Sequence, residues 1–586
     1  MNVIVERNVD AKMRDGTVLR ANVYRPSEEG RYPVLVQRTP YNKEFWPFVA
    51  PLLDPMRAAA EGYVVVIQDV RGRWASDGEE FYLYRNEFDD GFDTVEWAAT
   101  LPYSTGDVGM YGISYMGGAS WNAASTAPPS LKAISTATAP RDLYPHVWRN
   151  GAFSVGLIQS WALGGIGLSE ILRKKGGSPD LWPSFLAMVD EVDAFDSNVR
   201  HMPQTSLPAA QPGDPDFLPF FFELMKHPVP DKFTDEILSK HRQADVMVPA
   251  LILAGWYDPL LEDDLETFAF MRSQAATETA RDKTRLIVGP WGHAAFLNYV
   301  GELDFGLRAS GLSLDLTGDL TALNLRWFDQ RLKGIVTGID DEPSVKIFVM
   351  GENRWRGADS WPPAGYTDVD WYFQPEGGLS RDVVSVEGGA DTFIYDPEDP
   401  CPTKGGNILM PGSFIRGPVD QTTLLSRSDV LTYISDVLIE DIEVVGDIKA
   451  HLFAATDVID TDWVVKLCDV HPDGRMFNVA DGILRASYRN GGDRQLLTPG
   501  EAQEFAVDLW ASAVVFKTGH RIAVIVTSSD FPRYDRNPNT GELSVEATVT
   551  KQANQTIFHA SDRPSRVTLP TFVRDLGHSD TGGRDE

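Results

Sequence analysis

The sequence predicts an α/β domain that is interrupted by a helical insertion and followed by an all-β domain. Apolar runs rich in β-forming residues alternate with a helical pattern over the first 140 residues. Aromatic residues then recur at helical spacing, and short strand patterns fill the chain after about residue 340. Because single hydrophobic cores stop growing near roughly 250–300 residues, a chain of 586 residues is expected to divide into domains.

The α/β domain is predicted from segments on both sides of the insertion. Before it stand YPVLVQRTP, GYVVVIQDVRG and DVGMYGISYMGG, with the helix-like FDDGFDTVEWAATLP between the second and third. After it, VPALILAGWYD and TRLIVGPWGH repeat the strand pattern, and LTALNLRWFDQRLKG predicts a closing helix. Such alternation is typical of a parallel sheet joined by helices. We therefore place the two parts of this domain at 1–140 and 246–340.

The two remaining regions differ from it in pattern. Residues 141–245 combine helical spacing in WRNGAFSVGLIQSWALGGIGLSEIL with the proline-rich QTSLPAAQPGDPDFLPF, which indicates a helical cap. Residues 341–586 contain regularly spaced short strands, as in VKIFVMGENRW, DIKAHLFAATD and HRIAVIVTSSDFP. Strands in this spacing without helices favour a β-sandwich or jelly roll.

Charge and composition exclude several classes of function. The net charge of −31 opposes binding to nucleic acid or to anionic lipid. The N-terminus has no signal-peptide pattern, and no uninterrupted apolar run reaches about 18 residues, so we expect a cytoplasmic protein that does not enter a membrane. Two cysteines make no disulfide framework, and no zinc, P-loop or dinucleotide pattern appears, so no metal or cofactor is expected.

A serine follows the third strand pattern in a context suited to a nucleophile. Ser114 lies in Gly-Ile-Ser-Tyr-Met-Gly-Gly, between a strand and a run of small residues able to start a helix. Glycines on both sides relieve crowding where a serine is held in a strained strand-to-helix turn. Taken alone, a G-x-S-x-G match recurs by chance, so further residues must support it.

A serine hydroxyl needs a histidine base, which in turn needs a carboxylate to orient it. Asp258 ends the strand pattern VPALILAGWYD, and His293 follows the next one, TRLIVGPWGH. The order serine, acid, histidine is the one expected on a parallel α/β sheet of this type. All three side chains are then predicted at the carboxyl edge of the sheet.

Seven motifs along the chain carry a resemblance to known proteins: RTPYNK (38–43), DVRGRWASDG (69–78), GISYMGG, GWYD, GPWGH, RWFDQRLKG and SSDFPRYDRNPNTG. Together they resemble the CocE/NonD hydrolase family, whose relatives include cocaine esterases, α-amino-acid ester hydrolases and X-prolyl dipeptidyl-peptidases. The resemblance implies an α/β-hydrolase domain with an inserted helical cap, followed by an all-β jelly-roll domain. It also implies an oxyanion hole made by the hydroxyl of Tyr41 and the backbone N–H of Tyr115.

The resemblance further implies substrate-binding positions. Trp148 and Trp161 resemble aromatics that line the acyl pocket of cocaine-esterase-like members, where Leu260 replaces an aromatic residue. The alternative is that both tryptophans are core residues of the helical cap. In α-amino-acid ester hydrolases, carboxylates two and three positions after the triad aspartate hold the substrate ammonium, whereas this sequence has Leu260 and Leu261. Three acidic residues follow closely, at 262–264, and leave partial substitution open.

The sequence therefore favours a serine hydrolase that cleaves esters, and by extension amides, of small neutral acyl compounds. An X-prolyl dipeptidyl-peptidase, or a β-lactam acylase of the α-amino-acid ester hydrolase kind, is the alternative within the same chemistry. A ligand-binding protein with a degenerate hydrolase domain is the alternative of another class. The expected partner is a small ester or amide, and a homo-oligomer stays open.

Overall fold

The computed structural model describes residues 2–78, 80–142, 144–211, 217–385 and 387–572, so parts of the predicted cap and C-terminal domain (143, 212–216, 386 and 573–586) lie outside the described residues.

The first part of the α/β domain alternates strands and helices as predicted. Its elements are β1 Val3–Lys12, β2 Val18–Pro26, β3 Tyr32–Thr39, α1 Trp46–Val49, α2 Pro55–Ala60, β4 Val64–Asp69, α3 Glu87–Ala99, β5 Ser104–Ile113, α4 Tyr115–Ala124 and β6 Leu131–Ala137.

The insertion is helical apart from one small hairpin. It contains α5 Tyr144–Val147, β7 Trp148–Arg149, β8 Ala152–Phe153, α6 Val155–Ser160, a π-helix Trp161–Gly167, α7 Leu168–Lys174, α8 Leu181–Asp193, α9 Phe195–Asn198, α10 Pro219–Met225 and α11 Lys232–Ile237. Short 3₁₀ turns lie at Gln204–Ser206, Pro208–Ala210 and Ser239–Asp245. Its apolar side chains form a core that also includes Phe81, Tyr84 and Tyr115, so the cap packs on the α/β domain around α4.

The α/β domain resumes after the insertion. Its elements are β9 Ala250–Tyr257, α12 Leu261–Gln274, α13 Glu278–Lys283, β10 Arg285–Gly292, β11 Tyr299–Val300, β12 Leu303–Asp304, α14 Leu320–Leu332, β13 Val345–Val349 and β14 Arg354–Ala358, with 3₁₀ turns at Leu307–Ala309 and Ile339–Asp341. One sheet of ten strands joins the two parts, in the order β1-β2-β4-β3-β5-β6-β9-β10-β13-β14. The seven strands from β4 to β13 are parallel, and antiparallel strands close both edges.

The two faces of this sheet bury different side chains. Along β3, Val34 and Val36 belong to one apolar core and Leu35 to another, as alternation along a strand requires. Every residue of β4, β9 and β10 is buried. Sheets covered on both faces are typically built from such continuous apolar strands, which is why these segments were recognisable in the sequence.

The start of the all-β region differs from the prediction. The sequence pattern places this start at residue 341. In the structure, β13 pairs in parallel with β10 and β14 pairs with β13, so these two strands extend the first sheet. A lone strand pattern does not reveal which sheet it joins. Immediately after β13, the N–H of Met350 donates to Ala513 and its carbonyl accepts from Val515, which links the first sheet to the C-terminal region.

The described residues from 366 onward form strands and 3₁₀ turns without an α-helix, as predicted. The strands are β15 Tyr366–Gln374, β16 Gly378–Ser380, β17 Ala390–Tyr395, β18 Leu431–Ser435, β19 Ile442–Thr456, β20 Asp462–Val470, β21 Met476–Arg485, β22 Gln503–Phe516, β23 Arg521–Thr527, β24 Ala553–Ala560, β25 Arg563–Pro564 and β26 Arg566–Phe572. They form one hydrogen-bonded network of twelve strands in which all pairs but β16–β18 are antiparallel.

One helical run in the described chain is long and apolar enough, by length and composition alone, to cross a membrane. It is Val155–Lys174, with a mean hydropathy of 1.3 over its most apolar window. Because 56% of that window is buried inside the protein, the run also fits a core helix of the cap.

Candidate active site

Ser114 occupies a sharp turn between β5 and α4. Its φ of 54° and ψ of −125° lie outside the regions that a serine ordinarily adopts, at a cost of about 1–3 kcal/mol. The glycines on either side are required by close packing. A Cβ on Gly112 would lie 2.3 Å from the carbonyl carbon of Met116, and one on Gly117 would lie 2.4 Å from Cβ of Ala139. This turn is the strand-to-helix elbow that the G-x-S-x-G pattern predicted.

Asp258 and His293 lie beside each other where two neighbouring strands end. Asp258 follows β9 and His293 follows β10, and these strands are parallel partners in the sheet. Nδ1 of His293 lies 2.9 Å from Oδ2 of Asp258, and the other carboxylate oxygen accepts the backbone N–H of Leu260 at 2.7 Å. Asp258 is fully buried and His293 is 7% exposed. With Nδ1 engaged by the aspartate, the Nε2 edge of the imidazole is left for a reacting hydroxyl.

Two residues of the C-terminal domain hold the loops that carry the acid and the base. The Nδ2 amide of Asn407 donates to the carbonyls of Trp256 and Asp258, at 3.1 and 2.9 Å. The guanidinium of Arg416 donates to the carbonyl of His293. Both residues are more than 100 positions from their partners along the chain, and no sequence motif pointed to them.

Tyr41 follows β3 in the predicted RTPYNK motif, and its hydroxyl faces the serine. The hydroxyl accepts a hydrogen bond from the indole N–H of Trp161 at 2.8 Å and also interacts with the Ser114 side chain. Burial raises the pKa of Tyr41 to about 12, although the Trp161 hydrogen bond acts in the opposite direction. At neutral pH the hydroxyl therefore keeps its proton and remains a hydrogen-bond donor.

This raised pKa predicts that turnover does not decline between pH 8 and 10 through ionisation of Tyr41. A tyrosine whose pKa is raised stays neutral to higher pH, so its donor is lost only near pH 12. The measurement is kcat from pH 7 to 10, with enzyme returned to pH 7.5 afterwards to correct for irreversible inactivation. A decline in wild type that is absent from Tyr41→Phe would contradict the assignment.

An arginine of the DVRGRWASDG motif fixes the segment that carries Tyr41. Nε of Arg73 donates to the carbonyl of Pro40 at 3.0 Å, and its Nη1 forms an ion pair with Glu170 of the cap. The motif's other arginine, Arg71, pairs with Asp90 at 2.6 Å. Through Arg73 the motif connects the cap to the loop of Tyr41.

Tyr115 follows Ser114 directly, and its side chain is held by Tyr84 and Glu87. It is the first residue of α4, where N–H groups have no acceptor within the helix. Its phenol ring stacks on Tyr84 with ring centres 4.0 Å apart, and its hydroxyl donates to Glu87 at 3.2 Å. The N–H at this position lies directly after the serine, as an oxyanion donor must.

Two cavities meet at the serine. Both are lined by Tyr41, Ser114, Trp161, His293 and Leu409. The larger, of about 440 Å³, is otherwise lined mainly by apolar groups from the α/β domain, the cap and the C-terminal domain, including Phe48, Met116, Leu163, Val192, Phe195 and Met410. The smaller, of about 80 Å³, is closed by Leu83, Tyr84, Val147, Leu157, Ile158, Leu224 and Leu260. A substrate attacked at Ser114 would place one part in each cavity.

The three predicted substrate-binding residues have different positions. Trp161 lines both cavities, and Leu260 lines the smaller one. Trp148 lines neither, which corrects the expectation for this residue. Its ring is 1% exposed, packs on Phe153, and donates its indole N–H to the carbonyl of Leu224 at 2.9 Å inside the cap. Apolar residues at helical spacing predict that Trp148 faces inward. They do not show whether it lies in the core of the cap or in the wall of a cavity.

The acidic residues after Leu260 and Leu261 already form ion pairs and hydrogen bonds within the protein. Glu262 forms an ion pair with Arg149. Asp263 is buried and accepts the backbone N–H of Asp142 at 2.7 Å, and His146 lies 3.3 Å from it. Neither residue lines either cavity at Ser114. Neither carboxylate is therefore placed to hold a charged group of a substrate at Ser114.

Asp264 is buried close to the acid of the triad. Burial, followed by the negative charges of Asp258 and Asp263, raises its pKa well above the ordinary value for an aspartate. Its Oδ1 accepts the N–H of Ala139 at 3.4 Å. This shift moves Asp264 towards its neutral form, beside the buried acid of the triad.

Comparisons with known proteins agree with this architecture. Residues 15–295 match the family described as X-Pro dipeptidyl-peptidase (S15 family), and residues 337–568 match its C-terminal non-catalytic domain. Cocaine esterase of Rhodococcus sp. (strain MB1 Bresler) is 35% identical over 98% of this chain and 99% of its own. A solved α-amino acid ester hydrolase is 26% identical with a TM-score of 0.79, covering 97% of each chain.

A solved CocE/NonD family hydrolase from Staphylococcus aureus shares the fold, with a TM-score of 0.69 at 20% identity over 97% of this chain and 94% of that one. The hydrolase fold of the first 358 residues and the strand-rich C-terminal region are thus found together in known enzymes. With the strand-to-helix serine turn and the buried histidine–aspartate pair already located, the chain belongs to the CocE/NonD family of serine hydrolases and is an ester hydrolase.

Proposed function

We propose that this ester hydrolase acts on small, neutral, apolar acyl groups through an acyl-enzyme formed on Ser114. The observation that carries the proposal is the smaller cavity at the serine, whose walls are apolar and include Leu260. No aspartate or glutamate lines either cavity among the described residues. The relative named cocaine esterase is, by its name, an enzyme that acts on an ester, which supports the same reaction class.

In the proposed mechanism, Oγ of Ser114 attacks the substrate carbonyl while His293 accepts the hydroxyl proton. The histidine then gives this proton to the leaving alcohol, and a water molecule repeats the sequence to release the acid. Asp258 holds the imidazole in the required tautomer and stabilises its charged form. The Tyr41 hydroxyl and the Tyr115 N–H bind the oxyanion, each contributing about 3 kcal/mol to transition-state stabilisation.

An α-ammonium on the acyl group would be poorly accommodated. Burying an unpaired charge is costly, and the nearby carboxylates Glu262 and Asp263 already have partners and line neither cavity. An α-amino-acid ester carries this ammonium next to the reacting carbonyl, and an X-prolyl dipeptide carries one on the residue before the reacting proline. We therefore favour a neutral acyl group over these alternatives.

The test compares two p-nitrophenyl esters that differ by one group, 3-methylbutyrate and L-valinate, together with an X-Pro p-nitroanilide. We expect kcat/KM for 3-methylbutyrate to exceed that for valinate by about 10²-fold, as a site without a partner for the charge predicts. A higher kcat/KM for valinate would refute the neutral-acyl proposal. A protein that neither turns over an ester nor reacts with a fluorophosphonate would instead be a degenerate binding protein.

Tyr41→Phe tests the oxyanion assignment. It removes one hydroxyl and little volume, so we expect kcat to fall by about 10²–10³-fold with a small change in KM. Tyr115→Phe is the matched control, because its hydroxyl bonds Glu87 and its backbone N–H is retained. Equal kcat values for the two variants would remove Tyr41 from the oxyanion hole.

Leu260→Ala tests which cavity receives the acyl group. Widening the smaller cavity should raise the ratio of kcat/KM for the benzoyl over the acetyl p-nitrophenyl ester by about tenfold. One or two methylene groups in an apolar pocket change kcat/KM by about this factor. Leu163→Ala is the control, because Leu163 lines only the larger cavity. If the control alone shifted the ratio, the acyl group would belong in the larger cavity.

We also infer that the C-terminal strands form a jelly roll, as the sequence predicted. The antiparallel pairing of β19 with β22, β24 and β26, and of β20 with β21 and β23, supports two packed layers around one apolar core. An experimental structure of the full chain tests this topology directly.

A further inference from the structure

Two histidines and one aspartate converge in the C-terminal domain, far along the chain from the catalytic residues. Asp469 and His471 lie at the end of β20, and His520 immediately precedes β23. Side chains two positions apart on a strand point to the same face. Because β20 and β23 pair with Val470 opposite Arg521, His520 comes next to His471, and their ring centres are 4.5 Å apart.

The nitrogen and oxygen atoms of these three side chains face one another. Nδ1 of His520 lies 2.9 and 3.0 Å from the two carboxylate oxygens of Asp469, and Nε2 of His471 lies 3.3 Å from Oδ2. All three ligand atoms lie within 4.8 Å of one another. Atoms bound to one Zn²⁺ at about 2.0–2.2 Å are separated by about 3–3.5 Å, so the contacts to Asp469 have the spacing that a shared ion requires.

The surroundings suit a cation. Within the described part of the chain, Asp469 forms ion pairs with the two histidines and with no lysine or arginine. Lys517 is nearby but pairs with Asp441 at 2.9 Å. The backbone of His471 is fixed by its N–H, which donates to Arg475, and by its carbonyl, which accepts from Gly474, both at 2.9 Å. One carboxylate and two imidazoles are therefore held together beside a fixed turn.

All three side chains line a cavity of about 250 Å³ between the two sheets. They are partly exposed, with 13–25% of each side chain accessible, which leaves a path for an ion and room for waters to complete its coordination. The opposite wall includes Tyr257, the residue before the triad aspartate, whose hydroxyl donates to the carbonyl of Asn478. An ion here would lie at the junction of the hydrolase and C-terminal domains.

We propose that Asp469, His471 and His520 bind one divalent transition-metal ion, of which Zn²⁺ is the best match. Two imidazole nitrogens with one carboxylate suit Zn²⁺ and its first-row neighbours, whereas Mg²⁺ and Ca²⁺ prefer sites made of oxygen atoms. The ion would be structural, since it lies outside the reacting groups. It would connect the turns before β21 and β23 at the domain junction.

The test uses the full chain without a histidine tag, titrated with Zn²⁺ by calorimetry and with Co²⁺ by visible absorption. We expect about one ion per chain, no competition from Ca²⁺, and a Tm that rises with Zn²⁺ because the ion binds the folded state. His471→Gln and His520→Gln keep a hydrogen-bonding group near Asp469, so they should fold. Each should weaken Zn²⁺ binding by at least tenfold and abolish the rise in Tm.

His451→Gln is the matched control, since this histidine also faces a carboxylate, Glu504, at 3.1 Å but belongs to no such cluster. It should bind Zn²⁺ as the wild type does. Unaltered ester turnover in metal-free protein would show that each variant is folded. Absence of Zn²⁺ binding by the wild type, or equal binding by the folded His471→Gln and His520→Gln variants, would overturn the proposal and leave a hydrogen-bonded cluster.

Discussion

Ser114→Ala is expected to reduce ester turnover by about 10⁴–10⁶-fold while leaving the fold intact. The substitution removes the nucleophile but keeps the Cβ that packs in the turn between β5 and α4. Loss of one member of a serine triad removes nearly all of the catalysis that the triad provides, because its residues act as a unit. Steady-state kcat and fluorophosphonate labelling measure the effect, and thermal unfolding checks the fold.

Ser160→Ala is the matched control for this variant. Ser160 lines the larger cavity near Ser114, and its hydroxyl donates to the carbonyl of Gly156 within the cap. Its loss should leave fluorophosphonate labelling complete and kcat within about tenfold of wild type, as expected for a residue outside the reacting groups. If Ser114→Ala retained labelling and Ser160→Ala lost it, the nucleophile would have been assigned to the wrong serine.

Asp258→Asn is expected to lower kcat by about 10⁴-fold with little change in stability. The amide keeps the size of the carboxylate but no longer fixes the tautomer in which Nε2 of His293 accepts the serine proton. The distance of 2.9 Å between His293 Nδ1 and Asp258 Oδ2 places this pair in contact. Turnover of p-nitrophenyl esters at pH 7–8 measures the loss.

Asp264→Asn distinguishes the acid of the triad from its buried neighbour. The pKa of Asp264 is raised by burial and by the charge of Asp258, and the amide of asparagine imitates the neutral carboxyl towards which this shift moves the group. We expect kcat to stay within about tenfold of wild type and Tm to change little. A loss comparable to that of Asp258→Asn would mean that the two carboxyl groups share the catalytic role.

The positions of the catalytic candidates followed from the sequence because each belongs to a local pattern. Ser114, Asp258 and His293 each come directly after a strand that is buried up to its C-terminal end, and parallel strands bring such positions to one edge of a sheet. Tyr41 was different, since only the resemblance to a family singled it out. Its contact with Trp161 joins segments 120 residues apart, which no local pattern encodes.

Other features depended on tertiary packing and were missed or misplaced. Asn407 and Arg416 reach the catalytic loops from a segment with irregular backbone, where neither periodicity nor spacing gives a signal. β13 resembles the later strands in sequence, yet it pairs with β10. Trp148 is as apolar as Trp161, and only the packing of the cap decides which of them faces the serine.

Because Leu409 and Met410 form part of the cavity wall, they determine what truncation or substitution of the C-terminal domain would do to this enzyme. These side chains line the larger cavity, yet they belong to the region matched by a domain described as non-catalytic. A fragment ending after β14 would retain every reacting group, but its larger cavity would lack the wall that the C-terminal domain supplies. It would also lack Asn407 and Arg416, which hold the loops of the acid and the base. Substrate preference is therefore open to change by substitutions at 409–411, in a part of the chain where the elements that position the nucleophile stay untouched.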